Sequence, residues 1–215
     1  MSFLVPGFIF MLLLRIGFPS LPYASVMSLL QNDFEKGLAG LAISLVVGLF
    51  IHSANYWLLD NIVFYKNYLR PSVGRISSKS ESIQKITLKL DDLCEAAMQN
   101  KFYATPGNVT PYFYDHAYFF LEANDKIGAA KGFQSLYFFL CNLFFITVIA
   151  IFCFLGLQIP YYHIHLSSSH HYWMITIALI VTLPLLGWTC RFYRKKLVER
   201  VFWSYYILQK FPLKN

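Results

Sequence analysis

Four of the six histidines, His163, His165, His170 and His171, lie close together in one short stretch and form the densest group of potential metal ligands or proton acceptors. Imidazoles two residues apart on an extended segment share a side. The two pairs could therefore hold a borderline metal or respond to pH. Their spacing matches no standard zinc signature, and Tyr161, Tyr162, Tyr172 and Trp173 around them suit an interfacial aromatic belt with polar tips. A second set, Asp115 and His116 with Glu122 and Asp125, has the residue types of a general base and its helpers. No Ser or Cys nucleophile stands in an elbow, no glycine-rich loop opens a helix, and no HExxH or paired-carboxylate pattern occurs. The chain therefore reads as non-catalytic. Cys94, Cys141, Cys153 and Cys190 form no CxxC pair, so neither a disulfide framework nor a metal site is expected, and no cofactor is implied.

A third set consists of polar residues embedded in apolar sequence: Arg15, His52, Asn55 and Asn142. In a bilayer such groups face protein or water, because lipid offers them no hydrogen-bond partner. Converging inside one protomer, they act as packing glue. Around an oligomer axis, they line a water-filled path. Packing is the expectation, since four helices of a single copy rarely enclose a conducting pore.

The element that must position these residues is Gly37 to Leu59, 23 residues without Asp, Glu, Lys or Arg. That length crosses a hydrocarbon core of about 30 Å as one helix. At four-residue steps Gly40, Ser44, Gly48 and His52 share a stripe, with Asn55 beside its end and Leu, Ile, Val and Phe opposite. Helices in lipid associate through small residues and polar pairs, so this stripe is expected to meet other helices. Phe3 to Leu30 is apolar apart from Arg15, but Pro6, Pro19 and Pro22 divide it, which suggests a kinked span. Leu136 to Leu157 and Tyr172 to Cys190 complete a set of four spans. Asn142 and Thr147 in the former and Thr176 and Thr182 in the latter can bond to neighbouring helices, and Pro184 should kink the last span. The composition agrees: 57% of residues are hydrophobic and 13% charged, too apolar for an ordinary soluble domain.

Between the second and third spans lies a polar insert. The helix at 37–59 is expected to continue until Arg70-Pro71, followed by a basic, Ser-rich loop. Ser78-Lys79-Ser80-Glu81 has capping-box spacing and predicts a helix over 81–100, with Ile83, Ile86, Leu90, Leu93 and Ala97 on its apolar side. Thr110-Pro111 opens a second helix to about Asn124. Its Tyr112, Tyr114 and Phe119 suit a partner's groove, the headgroup level or packing on the preceding helix. Lys and Arg number nine in residues 60–133 and seven in residues 191–215, against one at 31–36 and none at 158–171. The positive-inside rule then makes the insert and both termini cytoplasmic, in a cell inner membrane.

The division expected is a first membrane hairpin at 1–59, a helical insert at 60–133, a second hairpin at 134–190 and a basic aromatic tail at 191–215. In that tail Arg191, Arg194, Lys195, Lys196, Arg200 and Trp203 suit a helix on anionic inner-leaflet lipid, or a docking surface for a cytoplasmic protein. Adjacency to the membrane points away from nucleic acid. The overall plan is all-α, with four spans, a helical insert of about 70 residues and a basic tail. It resembles the small membrane subunits of bacterial anti-phage defence systems, the Kiwa-like membrane components among them. Val5-Pro6-Gly7-Phe8-Ile9-Phe10 looks like the opening of several membrane families. The resemblance implies a homo-oligomeric, non-catalytic sensor or anchor that engages a cytoplasmic effector. An oligomeric pore that permeabilises the membrane is the alternative.

Overall fold

The computed structural model describes residues 3–17, 32–86, 111–157 and 169–211, and among these every regular element is a helix. They are α1 (Leu4–Gly17), α2 (Asp33–Asn61), α3 (Val63–Leu69), α4 (Val73–Ser77), α5 (Pro111–Ala123), α6 (Gly128–Leu157) and α7 (Ser169–Lys210). A further helix opens at residue 81 and is described through 86. Three helices are long and apolar enough to cross a membrane: Asp33–Asn61, Gly128–Gly156 and Trp173–Lys210. The 14 residues of α1 make a helix about 21 Å long, shorter than a hydrocarbon core. Residues 18–30 of the expected first span lie outside the described residues, as do 87–100 of the insert helix and His163 and His165. The side chains of Tyr112, His170 and His171 do too.

The chain divides into two compact units, Met1–Ile62 with Phe138–Thr189, and Val63–Tyr137 with Cys190–Asn215. Most of the expected insert thus falls in one unit with the tail, and most of the residues expected to form the hairpins fall in the other.

In the first unit α2 begins at Asp33, earlier than the apolar run, with Asp33 and Glu35 in its first turn. Negative charge there complements the helix dipole, and Lys36 pairs with Asp33 at 3.2 Å. Residues 33–36, polar and ahead of the apolar run, are therefore helix rather than a connecting turn. Along α2 the buried residues are Ser44, Gly48, Ile51, Asn55 and Leu59, so the buried side follows the small and polar stripe. Gly40 on the same stripe is half-buried. Opposite it, Leu41, Leu45, Leu49, Phe50 and Trp57 are exposed.

The reason the stripe can be buried is a near-contact of two backbones. A methyl group on Gly7 would overlap the Ser44 carbonyl, and one on Gly48 would overlap the Phe3 carbonyl. Phe3 thus meets α2 at Gly48 and Gly7 meets it at Ser44, which makes the two helices antiparallel. Further along α1, Leu13 packs with Ile175 and Leu179 of α7 against the buried Ala150 and Phe154 of α6. Thr147 and Thr182, expected to bond across helices, instead donate to Leu143 and Leu179 of their own helices at 2.8 and 2.9 Å. A hydroxyl without water takes the carbonyl one turn back, which is always within reach.

In the second unit α3 starts after an extended residue, Ile62, so the helix at α2 does not run on without a break. It stops before Arg70-Pro71 as the proline requires. The stretch expected as a loop contains α4, whose N-cap Ser72 accepts from the Arg75 amide. Ser78 does not form a capping box. Its hydroxyl donates to the Arg75 carbonyl, and the next helix starts at 81, with Glu81 paired to Lys85. The core joins Ile83 and Ile86 with Tyr114, Ala117 and Leu121 of α5, and with Leu197, Val201, Phe202 and Tyr205 of α7. The side of α7 that carries Leu197, Val201, Phe202 and Tyr205 is therefore covered by protein, while Phe192 and Trp203 remain exposed. Helix α7 continues from the apolar stretch into this segment and passes through Pro184 as one element.

The crossing of α1 and α2 makes a prediction. Gly48→Ala should destabilise the protein by about 1–3 kcal/mol, the usual range for overpacking a filled site. Gly37→Ala, where a methyl meets nothing within 4 Å, should be neutral or slightly stabilising. Thermal unfolding of both variants in detergent checks this, and equal midpoints would contradict the crossing.

Candidate functional site

Three of the four embedded polar residues come together. Asn55 Nδ2 donates to Asn142 Oδ1 at 2.9 Å, and His52 Nδ1 lies 3.4 Å from that oxygen and 3.3 Å from Asn142 Nδ2. The ring nitrogen donates to the oxygen in one tautomer and accepts from the amide in the other. Asn142 is 0% exposed and Asn55 1%, so the amide pair is enclosed by protein, while His52 is half-buried. The imidazole is held edge-on by Phe3 at 4.8 Å and Phe138 at 5.6 Å between ring centres. Spacing places His52 and Asn55 on one side of α2, and α6 brings Asn142 to them.

Arg15 does not join this set. It is exposed on the last turn of α1. Because α1 meets His52 with its first residues, Arg15 is displaced from the network by about 18 Å along the helix. Gly7 stands out in the sequence only within the opening Val5–Phe10 stretch, but its missing side chain lets α1 approach Ser44 and Gly48. A glycine one turn from another apolar helix's small stripe is the signal that could have found it.

The residue types suggestive of acid–base chemistry are not assembled. Asp115 is exposed. The His116 ring packs on Tyr205 at 6.0 Å between centres, and Glu122 pairs with Lys131 at 3.0 Å.

The expected partner or lipid surface splits in two. Tyr114 and Arg194 are buried, at 7% and 8% exposure, and are corrected from surface to interior. The Arg194 guanidinium lies 5.3 Å from the centre of the Tyr114 ring and 5.9 Å from that of Tyr137, and its Nε has no hydrogen-bond partner. Aromatic faces can hold a desolvated cation where no acid is available. Burial raises the Tyr114 pKa, while the charge and hydrogen bond of Arg194 work against the rise. Phe119, Lys195, Arg200 and Trp203 are exposed and Lys196 is half-buried. Arg191 is exposed, but its Nε donates to the Tyr68 carbonyl at 2.6 Å and its guanidinium lies 4.1 Å over the Tyr68 ring. Tyr137 donates to the next carbonyl, Leu69, at 3.3 Å. Two carbonyls that α3 leaves open at its end are thereby satisfied by side chains.

Glu199, the lone acid of the tail, anchors a second polar cluster beyond the apolar stretch that ends at Cys190. Its Oε1 accepts from Ser80 at 3.0 Å and Ser82 at 2.9 Å, and its Oε2 from Lys196 at 3.0 Å. Burial alone would raise the carboxyl pKa. The hydrogen bonds from Lys196, Ser82 and Ser80 outweigh burial and hold it below the usual carboxylate value. Among the described residues, no group of three or more His, Cys, Asp or Glu side chains is placed to hold a metal ion. Comparison with known protein families, with characterised proteins and with solved structures finds no match for this chain.

Two outcomes follow from these clusters. Asn142→Leu leaves the Asn55 amide and the His52 ring without their shared partner and should cost about 1–2 kcal/mol. Asn55→Leu with Asn142→Leu should cost less than the sum of the single changes, because the pair is one interaction. Denaturant titrations in detergent measure both, and strict additivity would contradict the network. For Glu199, a folded pKa below the unfolded value of about 4.3 means stability present above that pH and lost as pH falls through the folded value. Stability should therefore decline on acidification below about pH 4, and Glu199→Gln should flatten the decline in a pH series of melting midpoints.

Proposed function

We propose that this chain is a non-catalytic membrane anchor or sensor that assembles with further copies and holds a soluble cytoplasmic protein. In this reading the unit built from the insert and the tail faces the cytoplasm, as the excess of Lys and Arg in residues 60–133 and 191–215 favours. The observation that carries it is an exposed stripe on that unit. Arg200, Trp203 and Ile207 on α7 and Phe211 just past its end recur at three and four residues and are all exposed. A row of large apolar groups flanked by cations, past the apolar span, is a surface suited to a protein partner. The resemblance to defence-system membrane subunits would make that partner an effector, and the stimulus a disturbance of the envelope.

A pore has less in its favour. Of the side chains expected to line it, Asn55, Asn142 and His52 are engaged with one another within a single copy. Engaged in this way, they tie α2 to α6 and offer little to an ion.

Affinity purification in mild detergent, from a host carrying the native neighbouring genes, should recover one cytoplasmic protein in stoichiometric amount. Trp203→Ala with Ile207→Ala should weaken its retention at least about 30-fold, the scale of losing an interface anchor. Recovery of no such protein, or retention unchanged by the double substitution, would overturn the reading.

A further inference from the structure

The second unit contains a cavity of about 220 Å³ whose lining, among the described residues, carries four cations and no acid: Arg75, Lys79, Arg191 and Lys195, with Asn67, Pro71 and Ile76. The cations come from separate parts of the sequence. Arg75 belongs to α4, Lys79 follows it, and Arg191 and Lys195 stand one turn apart on α7. By sequence alone Arg191 and Lys195 belong to a basic tail helix suited to anionic lipid or a docked protein, and Arg75 and Lys79 to a loop. Tertiary structure gathers them around one space.

Like charges that converge repel one another, and an anion between them removes the repulsion. The neutralisation already present is partial. Glu199 lies 3.7 Å from Lys195 and is shared with Lys196, while no ion pair links Arg75 or Lys79 to an acid among the described residues. Arg191 is also held in place. Its Nε is taken by the Tyr68 carbonyl and its plane lies on the Tyr68 ring, which leaves the two Nη groups as a fixed fork of donors.

The geometry points to a binding site for a phosphate-bearing anion, in which Arg191 supplies a pre-set guanidinium and Arg75, Lys79 and Lys195 surround the charge. Size narrows the ligand. The cavity is smaller than the roughly 300–1,000 Å³ that drug-sized molecules occupy, so it suits a headgroup-sized phosphate better than a nucleotide. Arg191 is the first residue after the apolar stretch that ends at Cys190, so it stands where hydrocarbon gives way to headgroups. An anionic phospholipid is therefore the favoured source of the phosphate. The site itself does not depend on a partner protein docking at Trp203 and Ile207.

The full-length protein in neutral detergent tests this with three soluble probes: dihexanoyl phosphatidylglycerol, dihexanoyl phosphatidylcholine and inorganic phosphate. Phosphatidylglycerol should bind saturably, phosphate should compete with it, and phosphatidylcholine should bind at least 10-fold more weakly. Phosphate binding without any preference for the glycerophospholipid would support the site and assign it to a free anion. Arg75→Gln with Lys79→Gln should weaken binding about 25-fold, at about 5-fold for each cation removed. Lys66→Gln with Lys126→Gln removes equal charge outside the cavity and should leave affinity within 2-fold. Equal loss in both double variants, or equal binding of the two lipids without competition by phosphate, would overturn the proposal. Intact melting midpoints in the variants separate loss of the site from loss of the fold.

Discussion

At Gly7, Ser44 and Gly48 two helix backbones come so close that only hydrogen fits between them. In water, burial of apolar area would hold such helices together. In hydrocarbon it does not, and contact distance itself supplies the attraction through dispersion and polar pairing. Much of the first unit follows from this approach. It sets α1 antiparallel to α2, brings the Phe3 ring against His52, and so helps to fix the imidazole that meets Asn142. A larger residue at Gly48 would push Phe3 away and loosen the network one turn further along.

The second unit solves a different problem, which is to close short helices and accommodate charge in a small core. Helix α3 ends at a proline, and its open carbonyls at Tyr68 and Leu69 are met by Arg191 and Tyr137. Arg194 enters the core with no ion pair to an acid among the described residues and rests against Tyr114 and Tyr137. A buried cation costs several kcal/mol unless something offsets it. Two ring faces at about 2 kcal/mol each, when desolvated, offset much of this. The aromatic density of residues 114–120 and 191–206 thus has a role within the fold, beyond the surface role that its composition suggested. Glu199 shows the complementary device, a carboxylate kept charged by two serines and a lysine.

Sequence patterns read best where one period or one forbidden residue settled the matter. Charge-free runs marked α2, α6 and the first half of α7. Pro71 ended α3, and Pro111 opened α5. Local hydrogen-bond signals read worst. The spacing from Ser78 to Glu81 suits a capping box, yet Ser78 closes α4, Ser80 turns to Glu199, and Glu81 pairs with Lys85. A serine near two helix ends has several partners of similar strength, and the distant residue that decides among them is invisible in a short window. The candidate residues divide in the same way. The stripe of Ser44, Gly48 and Asn55 was legible because helical periodicity alone gathers it, whereas Arg15 was grouped with it only by residue type.

From the sequence alone came the length of apolar helix, the side of α2 that would be buried, and the concentration of cations in the insert and the tail. These depend on spacing along one chain segment and on transfer from water to lipid, both of which are local quantities. Only the tertiary structure decided which polar group meets which. It paired Asn55 with Asn142, turned Arg194 and Tyr114 inward, and drew Arg75, Lys79, Arg191 and Lys195 around one cavity. Such pairings join residues about 90 to 120 positions apart, and they depend on how helices rotate and cross, which no period in a single helix encodes.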